Sequence, residues 1–266
     1  MANKRLITLG VPLLLLSSTA IALQQPRWLN LNVASLNSTL AIDGSQPYSY
    51  NEREFTFSRL MYNGGSWGYK FWGTDFPQAE RHLMTAMKRL TNIRTAATEH
   101  PIRIADPEIF RYPFVYAVEV GQMKLSSEEA TILRKYLTRG GFLVVDDFWG
   151  SREWVHFESQ IGKVFPDRPI FEIPMDHELF HCFYDIEEIV QVPAYGRHFG
   201  ATYEEDGYVA RCLGIADDNG RLMVVINWNT DLGDAWEWVD RHQYPAQFST
   251  PALKLGINMV VYAMSH

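Results

Sequence analysis

The sequence predicts an α/β fold of flavodoxin-like type, a mostly parallel central sheet covered by helices, and three observations carry that expectation. Residues 114–119 and 141–147 are near-continuous apolar runs that each end in carboxylates, the pattern of strands buried on both faces. Between them, Ser126 and Glu129 make a capping box, Leu125 and Ala130 a hydrophobic staple, and Gly140 a stop, so a well-punctuated helix joins the two runs. Strand, helix and strand in roughly 35 residues form a βαβ unit, whose strands run parallel with a right-handed crossover. Finally, Leu83, Met87 and Leu90 recur at i, i+4 and i+7, one buried stripe on a helix over 77–90.

Taken in order, the chain begins with Lys4 and Arg5, an apolar stretch over 6–16, and Ala20-Ile21-Ala22, an A-x-A site. This is the form of a secretory signal peptide, residues 1–22, and implies a periplasmic or secreted protein. The alternative is an uncleaved membrane anchor, since 6–23 is just long enough to enter a bilayer, although Gly10, Pro12 and Ser17 to Thr19 weaken it. No membrane span is expected after signal cleavage. Residues 23–54 are polar and rich in Asn, and read as an extended N-terminal arm before one α/β domain over 55–266.

Within that domain, residues 55–60 alternate as a strand, and Asn63-Gly64-Gly65 opens an aromatic loop reaching Trp72. Thr74 or Asp75 is expected to cap the helix over 77–90, with Pro77 in its first turn, where the missing N–H costs nothing. Asp106-Pro107 opens a short turn. Further on come a helix over 153–165, a short strand over 170–173, a turn at 217–220 and a buried strand over 222–227. Thr250-Pro251 is read as the cap of a final helix reaching Met264, and residues 184–215 give no periodic signal.

Composition excludes some functions. At 47% hydrophobic and 14% aromatic, the chain has enough apolar side chains for one well-cored domain. Removing residues 1–22 lowers Lys plus Arg from 24 to 22 against 31 Asp plus Glu, so the net charge moves from −7 to −9 and nucleic acid is not an expected partner. Cys182 and Cys212 either pair as a disulfide or stay as two small buried hydrophobes.

In an open parallel sheet, ligands bind outside the carboxyl ends of the strands. The residues just past each apolar run are Arg59 and Tyr62, Glu119, Asp146 and Asp147, and the segment from Asn227 to Asp234 with Asp231. Asp75, Trp149, His177 and Trp236 join them as candidate ligand-binding residues. Carboxylates interleaved with tryptophan suit a small polyhydroxylated molecule, a saccharide or cell-envelope component, or a hard divalent cation. Arg59 would hold an anionic group, and Trp149 or Trp236 would stack on a sugar face. Against this, Asp146 or Asp147 would serve equally well as a helix cap and 231–234 as a turn.

One motif suggests zinc: His177-Glu178-Leu179-Phe180-His181 is H-E-x-x-H, which on a helix turns His177 and His181 to one metal. Its context argues otherwise. Pro174 precedes it, an extended Cys182-Phe183-Tyr184 follows, and a single turn capped by Asp176 explains the same residues. No resident cofactor is therefore expected, zinc or another divalent cation being the alternative. G-x-S-x-G, the P-loop and G-x-G-x-x-G are all absent.

Several blocks together resemble a bacterial family known as domain of unknown function 4159: Phe57-Ser58-Arg59-Leu60 with Tyr62, the run from Trp72 to Pro77, Tyr116 to Glu119, Gly140 to Leu143 with Asp146-Asp147-Phe148, Asp231 to Glu237, and the final residues from Asn258. The resemblance covers 55–266 and implies a class I glutamine amidotransferase-like sandwich. Amidotransferases of this fold place a nucleophilic Cys on an elbow after a central strand, where this chain has Asp146-Asp147 instead, so glutaminase chemistry is not expected. Trehalose-utilisation-type members of the fold also lack that Cys and are linked with sugars; relatives hold the equivalent of His177 in a loop. Together these give two expectations: a binding or accessory protein with a polar crevice, or a metal-dependent hydrolase using the 177–181 segment or the crevice carboxylates. A third reading makes the aromatic arm over 30–69 a dock for an envelope protein.

Overall fold

The buried apolar runs do form the middle of the sheet. The structure is a computed structural model that describes residues 54–64 and 71–266; the expected signal peptide, nearly all of the arm and part of the aromatic loop lie outside the described residues. Seven strands form one sheet in the order β3-β1-β4-β6-β9-β8-β7: β1 (Ser58–Met61), β3 (His100–Arg103), β4 (Phe114–Val118), β6 (Phe142–Asp146), β7 (Phe171–Glu172), β8 (Arg211–Ala216) and β9 (Leu222–Trp228). The first five in that order are parallel, while β8 runs antiparallel to both β9 and β7. Two short strands, β2 (Asn63–Gly64) and β5 (Met123–Lys124), pair separately. The fold is therefore α/β with a mostly parallel seven-stranded sheet. Among the described residues, no helix is long and apolar enough to cross a membrane.

The two-residue period of β4 and β6 divides the core. Phe114, Tyr116, Val118, Phe142 and Val144 face helices α1 (Gln78–Leu90), α4 (Leu232–Glu237) and α5 (Ala246–Ser265), while Val115, Ala117, Leu143 and Val145 face α2 (Ser127–Thr138) and α3 (Gly150–Val164). Leu83 and Met87 are fully buried, as their stripe requires, and each such side chain contributes about 2 kcal/mol. The capping box of Ser126 and Glu129 is present, and Gly140, at φ 105°, provides the turn after α2 that other residues resist.

Three local expectations need correction. α3 starts at Gly150 instead of 153, because Glu153 reaches back to accept from the Trp149 N–H (2.8 Å) and so closes the first turn. Neither Thr74 nor Asp75 caps α1; Pro77 occupies that position with no side-chain cap. α5 starts at Ala246, so Pro251 lies inside it, where it removes one N–H from a helix otherwise held by its buried face. β8, in the stretch with no periodic signal, forms a hairpin with β9 around the turn at 217–220, where the Asp217 N–H donates to Arg221 O and Gly220 to Asp217 O. Cys182 and Cys212 are unpaired thiols.

Candidate functional site

Three neighbouring parallel strands end alike. After β4, β6 and β9 come Glu119, Asp147 and Asn229, with φ of 53°, 51° and 61°, in the left-handed region that side chains other than glycine avoid. The turn is held by lateral hydrogen bonds: Glu119 N–H donates to Asp147 O, Asp147 N–H to Thr230 O, and Asn229 N–H to Phe148 O. These bonds extend the sheet by one step while the backbone doubles back, so that the Glu119 and Asp147 side chains face a crevice at the carboxyl edge. Residues held in this region at a cost of about 1–3 kcal/mol each cluster at functional sites.

The crevice is a cavity of about 200 Å3, and carboxylates supply eight of the eleven described residues that line it. No Lys, Arg or His is among them. Glu204 and Glu205 at its mouth pair with Arg197 (2.8 Å) and Arg152 (2.7 Å), and Glu153 has Arg152 at 4.0 Å. Asp75, Glu119, Asp147, Asp231 and Asp234 have no ion-pair partner among the described residues. Oxygens of Asp75, Asp147 and Asp231 lie within 4.8 Å of one another.

Each member is positioned by something else. Asp231 caps α4, accepting from Asp234 N–H (2.7 Å), and its own N–H donates to Val192 O. Asp147 accepts from the Trp149 indole N–H (3.0 Å), and Asp234 from the Tyr195 N–H (2.5 Å) and the Trp238 indole (3.0 Å). Asp75, also at left-handed φ (62°), is placed by its flanks: the Arg59 guanidinium donates from Nη1 to Trp72 O (3.0 Å) and Thr74 O (2.7 Å). Although Asp75 is only partly buried as a residue, its Oδ2 is sealed from solvent without a hydrogen-bond partner, as is Thr74 Oγ1. Gly233 makes this convergence feasible. A Cβ there would lie 2.4 Å from Asp75 Oδ2, 3.0 Å from Tyr116 Oη and 3.5 Å from Asp231 Oδ1.

Burial and mutual repulsion act together on these groups. Burial, then Asp234, holds the Asp75 carboxyl well above the usual range; burial, then Glu119 and Asp75, does so for Asp147; burial, then Asp147 and Asp234, for Asp231. Glu119 is pushed up to about 7 by burial and by Glu153 and Glu204.

Of the residues expected at the site, Asp75, Glu119, Asp147, Trp149, Asp231 and Asp234 come together in its lining. The other five do not line it. Arg59 is fully buried, bound through Nε to Glu80 (2.5 Å) and lying 4.9 Å over the Tyr116 ring, so it clamps the 71–75 segment and is not open to an anionic ligand. Tyr62 donates to Val118 O and Glu119 O, behind the crevice. Asp146 sits beneath it, accepting from Tyr116 Oη (2.6 Å) and Gly233 N–H (3.0 Å), and burial pushes its carboxyl up to about 7. Trp236 is buried against Phe57 and Tyr116, its indole N–H donating to Ala252 O, and offers no face to a sugar. His177 lies beside Tyr262, whose hydroxyl binds the start of β9 at the opposite edge of the sheet.

The 177–181 segment is a single 3-10 turn, Glu178–Phe180, capped by the His177 ring, not by Asp176. His177 Nδ1 accepts from Leu179 N–H, and the His181 ring lies between Asp185 and Met175 O, so the two imidazoles do not share a metal position. Among the described residues, the only clusters with metal-ligand spacing are two carboxylate trios. The sequence pattern does not bring Glu153, Glu204 and Glu205 to the crevice; it offers Glu204 only as one candidate third ligand for a zinc held by the 177–181 motif, alongside His198, Glu187 and Glu188. A Glu four residues after Trp149 at a helix start is a capping signal, but Glu204 and Glu205 arrive through long-range contacts such as Asp206 with Ser151 (2.7 Å).

A larger cavity, about 430 Å3, lies between α3 and the β7–β8 edge. It is larger but chemically quieter: its arginines are committed to Asp218 (2.9 Å) and Glu172 (2.6 Å). We place the candidate site at the carboxyl edge, where unpaired charge, backbone strain and sealed oxygens coincide. The family model described as a domain of unknown function (DUF4159) matches residues 56–264. Among curated proteins there is no significant match.

Proposed function

We propose that this chain, which belongs to the DUF4159 family, is an exported binding or accessory protein whose crevice takes a divalent cation through Asp75, Asp147 and Asp231. The observation that carries the proposal is the approach of three carboxylates to within 4.8 Å in a cavity with no basic residue in its described lining. Two like charges at that separation repel by about 3 kcal/mol at an effective dielectric constant of 20. Three such pairs rival the whole stability of a domain, so protons or a cation must offset them. An all-oxygen donor set selects a hard ion, Ca2+, Mg2+ or Mn2+, over zinc.

The cavity volume sets the size of anything bound with it. At about 200 Å3 it falls below the ~300 Å3 at which drug-sized sites begin, so it accommodates an ion with its waters and one small polar group. A single sugar or an envelope fragment would offer hydroxyls to the ion from the mouth. A class I glutamine amidotransferase-like placement belongs to the same reading: Asp147 ends a central strand, at positive φ, just before helix α3, where an elbow nucleophile would stand. Glutaminase chemistry is disfavoured by the thiols. Cys212 is buried in β8 and pushed up to about 12, Cys182 to about 11, so neither supplies a thiolate. Export rests on the basic, apolar and A-x-A pattern of residues 1–22.

Glu119 favours a second reading. Glu119 lines the crevice without an ion-pair partner among the described residues and is pushed up to about 7 in the ion-free protein; a bound ion would draw it down toward the carboxylate form, so a metal-dependent hydrolase working through the crevice carboxylates would use it as a general base toward a bound water. Turnover of simple esters or phosphoesters that disappears both with chelator and in Glu119→Gln would support that reading.

Titration calorimetry with Ca2+, Mg2+, Mn2+ and Zn2+ tests the first. We expect a hard ion to bind with Kd in the range of about 10−7 to 10−3 M, and Asp147→Asn to abolish the heat while far-UV circular dichroism stays unchanged. Absence of heat and of any thermal shift with all four ions would reject it.

A further inference from the structure

Two carboxylate trios meet at one residue. Oxygens of Asp75, Asp147 and Asp231 lie within 4.8 Å of one another, and so do oxygens of Asp75, Asp234 and Glu237. We propose that two divalent cations bind here, bridged by the Asp75 carboxylate: one inside the crevice, completed by Asp147 and Asp231, and the other at its margin, completed by Asp234 and by Glu237, which stands outside the crevice lining. This extends the single-cation reading above and rests on it.

Geometry supports a pair. Carboxylate oxygens 2.0–2.6 Å from one ion are at most about 5 Å apart, a limit both trios meet. Glu237 stands three residues after Asp234 on α4, so one helical face delivers both ligands to the second position. Asp234 is oriented through both oxygens, by the Tyr195 N–H and the Trp238 indole, and each oxygen keeps a lone pair for a metal.

Asp75 has what a bridging ligand requires. Its Oδ2 is sealed from solvent and has no hydrogen-bond partner among the described residues, and it lies close to Asp231, both approaching the Cβ position that Gly233 leaves open. Its backbone is fixed independently of its side chain: Arg59 grips the carbonyl of Thr74 beside it, and Asp75 O accepts from Ala79 N–H (3.1 Å). The Arg59–Glu80 pair is therefore a positioning device for Asp75.

Charge decides the number of ions. Asp75, Asp147, Asp231, Asp234 and Glu237 carry five negative charges when ionised; one divalent cation leaves −3 and two leave −1. With only oxygen donors the ions are of the Mg2+, Mn2+ or Ca2+ type, and a pair bridged by one carboxylate would take an anionic oxygen ligand, such as a phosphate or carboxylate, across both.

Mn2+ is the probe. Calorimetry and electron paramagnetic resonance on the purified full chain should give two Mn2+ per chain and an exchange-coupled spectrum. Glu237→Gln should bind one ion, lose the coupling, and keep its remaining affinity within about threefold; Asp75→Asn should weaken both. One ion in the wild type, uncoupled and insensitive to Glu237→Gln, would overturn the two-ion inference and leave the single-cation reading standing. No ion in the wild type would remove both. Because the wild-type stoichiometry and coupling need no variant, a misfolded Glu237→Gln protein would not rescue the idea.

Discussion

Raising the pH of the cation-free protein should destabilise it. Asp146 is fully buried, and burial carries its carboxyl from 3.8 to about 7; Glu119 goes from 4.5 to about 7. Each tenfold in proton affinity is worth about 1.4 kcal/mol, so above both values Asp146 costs about 4 kcal/mol and Glu119 about 3. The sign follows from proton binding: where the folded value lies above the unfolded one, the folded state binds more protons, and stability present below about pH 4 is lost as pH rises through 7. A combined loss of about 7 kcal/mol is a large share of a typical 5–15 kcal/mol. Urea titrations in chelator at pH 5 and pH 9 should show the midpoint falling by roughly 2 M. Ca2+ or Mn2+ at pH 9 should recover the Glu119 share, since that side chain lines the crevice, but not the share of Asp146, which lies beneath it. Asp146→Asn should remove that second share. A midpoint that stays level or rises with pH in chelator would refute the reasoning.

Gly233→Ala places a methyl 2.4 Å from Asp75 Oδ2, so Asp75 must swing away. Cation affinity should drop at least about tenfold, or 1.4 kcal/mol, in calorimetry; unchanged affinity would take Asp75 out of the site. Glu80→Leu leaves the Arg59 guanidinium buried without its carboxylate, a change worth about 3–5 kcal/mol. For a domain of this size the melting temperature should fall by about 10 °C. A loss under about 1 kcal/mol would mean that the two carbonyls and the Tyr116 ring already satisfy the cation.

What could be read from the sequence was whatever local physics decides. The runs at 114–119 and 141–147 leave no polar face to expose, and the capping box satisfies two N–H groups from within four residues; both appear as expected. The rule that ligands gather at carboxyl edges also points to four lining residues, Glu119, Asp147, Asp231 and Asp234, because it depends only on where a parallel strand stops. It failed where side-chain direction matters. Arg59 lies inside β1 and meets Glu80, 21 positions away, an encounter that depends on how α1 packs. Asp146 and Asp147 are neighbours, yet the strand period buries the first under Tyr116 and the left-handed turn sends the second into the crevice. Trp236 has the composition of a sugar-stacking residue, but on α4 it falls on the core face. The H-E-x-x-H spacing had meaning only on a helix of several turns, and a single 3-10 turn sends the two rings to separate partners.

Asp147 separates stability from function most sharply. It combines a left-handed backbone, burial, and repulsion from Glu119 and Asp75, all of which cost the fold, against one hydrogen bond from the Trp149 indole. Glycine at this position relieves about 1–2 kcal/mol of backbone strain and removes a carboxyl that burial, Glu119 and Asp75 hold well above the usual range. Against that, it abandons one indole N–H, at about 1–3 kcal/mol. In chelator the wild type bears the cost of this crowded carboxyl in either form, ionised against Glu119 and Asp75 or holding a proton, so Asp147→Gly should be at least as stable as the wild type while binding no cation. Under saturating cation the order should reverse, because only the wild type gains binding energy. If Asp147→Gly is the less stable protein in chelator, the Asp147 carboxylate holds the strand end together through Trp149, and the strain at that position serves the fold and not a ligand.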